Sequence, residues 1–266
     1  MIFVIDIGNT HTVAGVFRHQ KLSRRWRINT DSRMTADELA ISYHNLFFIS
    51  ATDMSEISGV IFSSVVPHLD AAYVSAFSTL FPSVPPAHIY RVDHTTVSCL
   101  IDIRLDTPSE VGADRLVNGI AAYRRFKTPC IIIDFGTAIT FDCISSQGDY
   151  LGGLILPGLN IALQALFEKT AKLPQIDISI PPETVIGTST VAAMKSGVMN
   201  GYGSMIEGLI QKIVVEMKDV AAEDITIIAT GGMAPLLKPY SPSIQKVEPD
   251  LTLNGLFYIF SALNHR

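Results

Sequence analysis

The chain predicts an α/β protein built by internal duplication, two copies of one strand-rich unit facing each other across a cleft. Three observations carry this expectation. The segment Ile131-Ile132-Ile133-Asp134-Phe135-Gly136-Thr137-Ala138-Ile139-Thr140 repeats the pattern of Val4-Ile5-Asp6-Ile7-Gly8-Asn9-Thr10-His11-Thr12: an apolar strand, an Asp, one apolar residue, a Gly, and a Thr-bearing turn into another strand. Val60 to Pro67 is echoed by Ile227 to Pro235, each a strand that runs into small polar residues and then Pro. The echoes come in the same order, as one unit used twice would place them, with a longer insertion in the second copy.

The elements follow in turn. Ile2 to Ile7 is a short β-branched apolar run, the pattern of a buried strand, and Gly8-Asn9-Thr10 punctuates it. Thr12 to Phe17 follows closely enough to form a hairpin, and a third strand starts at Gln20-Lys21-Leu22. Thr35 to Phe48 carries Leu39, Ala40, Tyr43, Leu46 and Phe47 at helical spacing, Gly59 to Val66 returns to strand, and Asp70 to Phe81 is a helix closed by Pro82. Thr107-Pro108-Ser109-Glu110 has the form of a capping box and predicts a helix from there to about Phe126. Thr190 to Met217 is helical in pattern although Gly197, Gly201, Gly203 and Gly208 thin it, and those glycines suit close packing, another subunit included. Lys172 to Pro182, with three prolines, is the most loop-like stretch and a place where a cover could hinge.

Composition sets outer bounds. A length of 266 residues suits two domains of ordinary size, here residues 1–115 and 116–266, with the last helix free to pack back on the first half. Hydrophobic residues at 48% against 17% charged residues are the opposite of the disorder signature. A net charge of −5 argues against a sequence-independent grip on nucleic acid, with Arg24-Arg25-Trp26-Arg27 the local exception, read as a solvated strand face. Three unpaired cysteines fit a reducing compartment, and the cytoplasm is expected; Cys130 and Cys143 flank an apolar strand run and should be buried. The opening residues meet Asp6 at once and do not read as a secretory signal, and no apolar run approaches the roughly 20 residues of a membrane helix. The seven histidines show no zinc-ligand spacing, and no nucleophile elbow supports a Ser or Cys triad.

The two Asp-x-Gly turns are the chemical signal. Glycine lets the backbone approach a phosphate, amides and Thr or Asn side chains donate to its oxygens, and the carboxylate holds a cation or its waters. One such turn is also ordinary hairpin chemistry; two on duplicated halves could grip a polyphosphate from both sides. Gly231-Gly232 offers bare backbone on which a flat group such as adenine could lie, or a simple turn. Asp114 could accept the proton of a substrate hydroxyl as phosphate is transferred, with Arg115 holding an anionic group. By pattern alone the same two residues also fit solvated helix charges.

Five segments together resemble the type III pantothenate kinase family: Asp6-Ile7-Gly8-Asn9-Thr10, Glu110-Val111-Gly112-Ala113-Asp114-Arg115, Asp134-Phe135-Gly136-Thr137-Ala138, Gly152-Gly153 with Pro157-Gly158, and Thr230-Gly231-Gly232. They span nearly the whole chain in the family's order. The resemblance implies two ribonuclease-H-like domains of the actin-like ATPase fold and ATP-dependent phosphorylation of pantothenate, the first step of coenzyme A biosynthesis. It implies that Asp6, Ile7, Gly8, Asn9, Thr10, His11, Thr12 and Val13 form the first ATP phosphate loop and that Thr137 contacts ATP. Asp114 would be the proton acceptor, Gly112, Ala113 and Arg115 would surround pantothenate, and Thr190 would meet it. Asp134 would bind a monovalent cation, potassium or ammonium. Magnesium should accompany ATP, held mainly by phosphate oxygens and water, with Asp6 behind that shell. The family works as a homodimer. His11 and Leu105 depart from the residues many members carry. A non-catalytic accessory factor of the same fold is the alternative, and retention of Asp6, Asp114, Arg115, Asp134 and Thr137 together favours catalysis.

Overall fold

The computed structural model describes residues 1–217 and 221–264. His265, counted among the histidines above, lies outside them. By its contacts the chain divides into two units, residues 1–124 with 250–266, and residues 125–249.

The first unit opens with β1 (Ile2–Ile7), β2 (His11–Arg18) and β3 (Lys21–Asn29), an antiparallel meander. Then come α1 (Ala36–Ile49), β4 (Gly59–Ser64), α2 (Asp70–Leu80), the short β5 (Ile89–Arg91) and α3 (Ala113–Phe126). The sheet order is β3-β2-β1-β4-β5, with β4 parallel to β1 and β5 parallel to β4. Thr35 caps α1 in a complete capping box with Glu38, so this helix starts where its sequence places it. Phe3 centres the core: Tyr43 and Phe47 from α1, and Phe77 and Phe81 from and just after α2, meet its ring edge-on at 5.3 to 6.2 Å. Arg24, Arg25 and Arg27 of β3 are exposed, while Trp26 between them packs on Phe3 and Phe47.

The second unit contains β6 (Cys130–Phe135), β7 (Ala138–Ile144), β8 (Tyr150–Pro157), α4 (Leu159–Lys169), α5 (Thr190–Glu216), β9 (Thr226–Thr230), the single turn α6 (Ala234–Leu237) and β10 (Lys246–Val247). Its order β10-β9-β6-β7-β8 is the first sheet's order read from the other edge, strand for strand. A β6–β7 antiparallel pair and a β6–β9 parallel pair repeat β1–β2 and β1–β4. The duplication read from the sequence is therefore a duplication of topology. Cys130 and Cys143 are buried and Cys99 is exposed. The loop before α5 is tied down by Ile178, which enters the second core. Among the described residues no helix is long and apolar enough to cross a membrane.

Two expectations change. The helix predicted from Thr107 begins at Ala113. Thr107 makes no capping bond, Pro108–Glu110 form one 3₁₀ turn, and Val111 is extended, so the chain breaks before Gly112. The division between units falls after Arg124, not between 115 and 116, because α3 packs on the last helix α7 (Leu251–Asn264) within the first unit. At their crossing a Cβ on Gly255 would stand 2.6 Å from the Val117 carbonyl oxygen and 3.0 Å from Ala121 Cβ. Backbone cannot retreat cheaply, so this clash should outweigh the roughly 1 kcal/mol that alanine gains over glycine in a helix. Gly255→Ala should lower stability by about 1–2 kcal/mol, read as an earlier urea midpoint; an unchanged or later midpoint would show that α3 and α7 can separate freely.

Candidate active site

Asp6 is the next-to-last residue of β1, and the chain turns directly after it. Gly8 donates its amide to the His11 carbonyl at 3.1 Å, which closes a tip of Asn9 and Thr10, both exposed. A Cβ on Gly8 would lie 2.8 Å from that carbonyl oxygen, so the tight turn needs glycine. Thr12 is fully buried, and its hydroxyl lies 2.9 Å from that of Thr30 and 3.3 Å from that of Tyr73. Its side chain thus anchors the base of the loop, while Asn9, Thr10 and the loop amides remain at the tip. His11 accepts at Nδ1 from Arg27 at 3.0 Å, and partial burial together with that guanidinium holds its pKa below the usual imidazole value. The departure at position 11 is therefore matched by a partner on β3.

Asp114 lies in the first turn of α3, where the amide dipoles favour a negative charge. Its Oδ1 accepts from the Arg115 amide at 2.8 Å. A Cβ on Gly112 would stand 2.5 Å from that same oxygen, so glycine leaves the room the carboxylate occupies. Burial raises the Asp114 pKa, while the Arg115 amide and guanidinium draw it back. Asp6 is pushed up to about 7, first by burial and then by the charge of Asp114; a hydrogen bond from the Ser63 hydroxyl, 2.7 Å from Oδ1, opposes both. The first unit therefore sets two carboxylates against each other in surroundings that resist both charges, an arrangement that suits a cation or a shared proton.

In the second unit Asp134 occupies on β6 the place of Asp6 on β1. Its turn is one residue shorter: Gly136 donates to the Ala138 carbonyl at 3.1 Å, which leaves Thr137 alone and exposed at the tip. Gly158, at the start of α4, donates to the Thr137 carbonyl at 3.2 Å, and a Cβ there would be 2.2 Å from that oxygen. The Pro157-Gly158 segment thus braces the turn. Gly231, at φ +86°, brings backbone so close that a Cβ would meet Asp134 Oδ1 at 2.4 Å. The close approach of Gly231 to Asp134 is thus fixed by the backbone, and Gly232 beside it is exposed. Thr190 is the exposed first residue of α5, preceded by the Ser189 cap, whose hydroxyl accepts from the Ala192 amide at 3.2 Å. Among the described residues no group of three or more His, Cys, Asp or Glu side chains could hold a metal ion.

Ser63 was not singled out by the sequence reading. Its signal was present: it ends the apolar run of β4 that echoes the strand before Thr230, and the parallel register sets it opposite Asp6.

Two like-ordered five-stranded sheets, each with an Asp-x-Gly turn, define a duplicated α/β protein of the actin-like ATPase fold. Solved structures agree on the fold. A protein from Campylobacter jejuni placed in the Baf family of transcriptional activators aligns over 99% of this chain and 100% of its own at TM-score 0.57 and 17% identity. A ROK family protein from Streptococcus pneumoniae in complex with sucrose aligns over 99% and 98% at TM-score 0.53 and 14% identity. The activator of 2-hydroxyisocaproyl-CoA dehydratase from Clostridium difficile, with bound ADPNP, aligns over 99% and 96% at TM-score 0.53 and 10% identity. At such identities these likenesses speak for the fold alone.

Sequence relatives are more specific. The profile of the type III pantothenate kinase family matches residues 2–212. The type III pantothenate kinase of Desulfotalea psychrophila is 43% identical over all of both chains, and that of Desulfosudis oleivorans is 42% identical over 98% of this chain and 99% of its own. The chain belongs to the type III pantothenate kinase family. The family match gives no support to a non-catalytic accessory factor.

The raised Asp6 carboxyl makes a prediction about stability. Between the ordinary aspartate value of 3.8 and about 7 the folded chain holds a proton that the unfolded chain has released. Its contribution to stability should therefore fall as pH rises through that window and then level off. Urea unfolding of the ligand-free native chain and Asp6→Asn, from pH 5 to pH 8, should show the native midpoint dropping relative to the variant; parallel curves would refute the raised value.

Proposed function

We propose that this chain is an ATP-dependent pantothenate kinase: it transfers the γ-phosphoryl group of ATP to the primary alcohol of pantothenate and yields 4′-phosphopantothenate and ADP, the first step of coenzyme A biosynthesis. Beyond family membership, the observation that carries the reading is the placement of Asp114, a half-buried carboxylate with one oxygen held by the Arg115 amide and Asp6 for a neighbour.

Asp114 orients the substrate hydroxyl and takes its proton as the alcohol oxygen bonds to the γ-phosphorus and the bond to the β–γ bridging oxygen breaks. Burial makes it a better base than a solvated aspartate, while the Arg115 amide and guanidinium favour its ionised form. Arg115 also offers its guanidinium to the substrate carboxylate, with Gly112 and Ala113 as backbone at its side and Thr190 as a further contact. The loop from Asp6 to Val13 receives ATP phosphates through its amides, Asn9 and Thr10, and Thr137 contacts ATP from the second turn. Magnesium, when bound with ATP, neutralises phosphate charge; phosphate oxygens and water would hold it, with Asp6 behind them. The Asp134 carboxylate, in a cradle that a Cβ on Gly231 would fill, suits an oxygen-bound potassium or ammonium ion.

The reading includes a homodimer working in the cytoplasm. Supporting it, α4 and the first turn of α5 expose Ile161, Leu166, Phe167 and Val191, and Gly197, Gly201 and Gly208 have open space where a Cβ would stand. A helix face of that kind admits close approach by another helix.

ADP release with ATP, pantothenate and magnesium should depend on pantothenate, slow when potassium is replaced by sodium, and fall by at least about 100-fold in Asp114→Asn. A folded native chain that releases no ADP under these conditions would end the kinase reading.

A further inference from the structure

We infer that Ser63 is a positioning residue for Asp6: its hydroxyl fixes one carboxylate oxygen so that the other faces the magnesium-bound phosphates of ATP. The inference deepens the kinase reading and rests on it. Its basis is a difference between two halves that otherwise match. In the first, β1 and β4 run parallel with Asp6 directly opposite Ser63. Ser63 is 0% exposed, and its hydroxyl donates to Asp6 Oδ1 at 2.7 Å. A hydroxyl with no access to water must hold a protein partner, and here it holds the carboxylate.

In the second half the same pairing sets Asp134 opposite Thr230, which is 2% exposed. Yet Thr230 donates to the Glu248 carbonyl at 2.8 Å, at the end of β10. The equivalent hydroxyls have opposite commitments, one to the carboxylate and one to the neighbouring backbone. Gly231 stands close against Asp134. Strand, Asp and register are shared while the hydroxyl's direction is not, so the two carboxylates are fitted for different tasks. A backbone-lined cradle serves a carboxylate that helps enclose an ion. A charge-assisted bond from a buried, immobile donor serves one that must keep a single direction beside a like-charged neighbour, Asp114.

The test compares the full native chain with Ser63→Ala and Ser63→Thr. Calorimetry measures binding of ATP with magnesium and of ATP with EDTA, and initial rates give kcat and KM. Ser63→Ala should weaken magnesium–ATP binding by about 10-fold, leave metal-free ATP binding unchanged, and lower kcat with the KM for pantothenate preserved; Ser63→Thr, which keeps the hydroxyl, should recover most of both losses. Should Ser63→Ala not fold, Ser63→Cys keeps the volume, weakens the donor and carries the same comparison. Equal weakening of both ATP forms would reduce Ser63 to a packing role, and native-like magnesium–ATP binding in the variant would overturn the inference outright. A native chain that binds magnesium–ATP but does not phosphorylate pantothenate would sink the kinase reading alone, because the calorimetric comparison still decides Ser63.

Discussion

The first unit depends on a conflict between like charges. Asp6 ends one central strand and Asp114 opens a helix, and each is desolvated enough that its charge is costly. Nearby features answer that cost. The Arg115 amide and the first turn of α3 favour the charge on Asp114, Ser63 favours it on Asp6, and Gly112 leaves space for the Asp114 oxygen. What these groups leave uncompensated can be met by a cation. Magnesium and the phosphates of ATP, bound as proposed, would meet that charge, so the electrostatics of the site would favour the bound complex over the empty protein.

Duplication supplies the frame, and divergence supplies the division of labour. Both sheets put an Asp at the end of a central strand beside a parallel neighbour, so the same backbone turn is made twice. The first tip holds two residues and suits a phosphate loop with Asn9 and Thr10. The second holds Thr137 alone and is braced by Gly158. Such asymmetry is what phosphoryl transfer asks for, since positioning and charge neutralisation do most of the catalysis.

Much of this was legible because it follows from short-range pattern. β-branched runs marked β1 and β6, the apolar spacing from Thr35 to Phe48 marked α1, and the repeated Asp-x-Gly turns exposed the duplication. The misplaced start of α3 shows the limit. Thr107 to Glu110 carries the residues of a capping box, but Gly112 and the extended Val111 break the chain, and tertiary placement of Asp114 decides where the helix begins. The boundary after Arg124 was equally hidden, because it depends on Gly255 meeting Val117 across more than a hundred residues. Thr12 belongs to the loop implied for the ATP phosphates, and only its partners Thr30 and Tyr73 reveal that its hydroxyl turns inward. The close approach of Gly231 to Asp134, made at a positive φ, was also not legible in the sequence.

The central claim is that Asp6 and Asp114 oppose each other's charge until a cation and phosphates are bound. Carbon-13 carboxyl NMR of aspartate-labelled chain, with Asp6 assigned by Asp6→Asn and the titration repeated with magnesium and a non-hydrolysable ATP analogue, tests it most directly. The account predicts that Asp6 titrates at about 7 in the free chain and falls toward the ordinary carboxylate range when the ligand is bound. An Asp6 signal that titrates in the ordinary range in the free chain, and stays there with ligand, would contradict it.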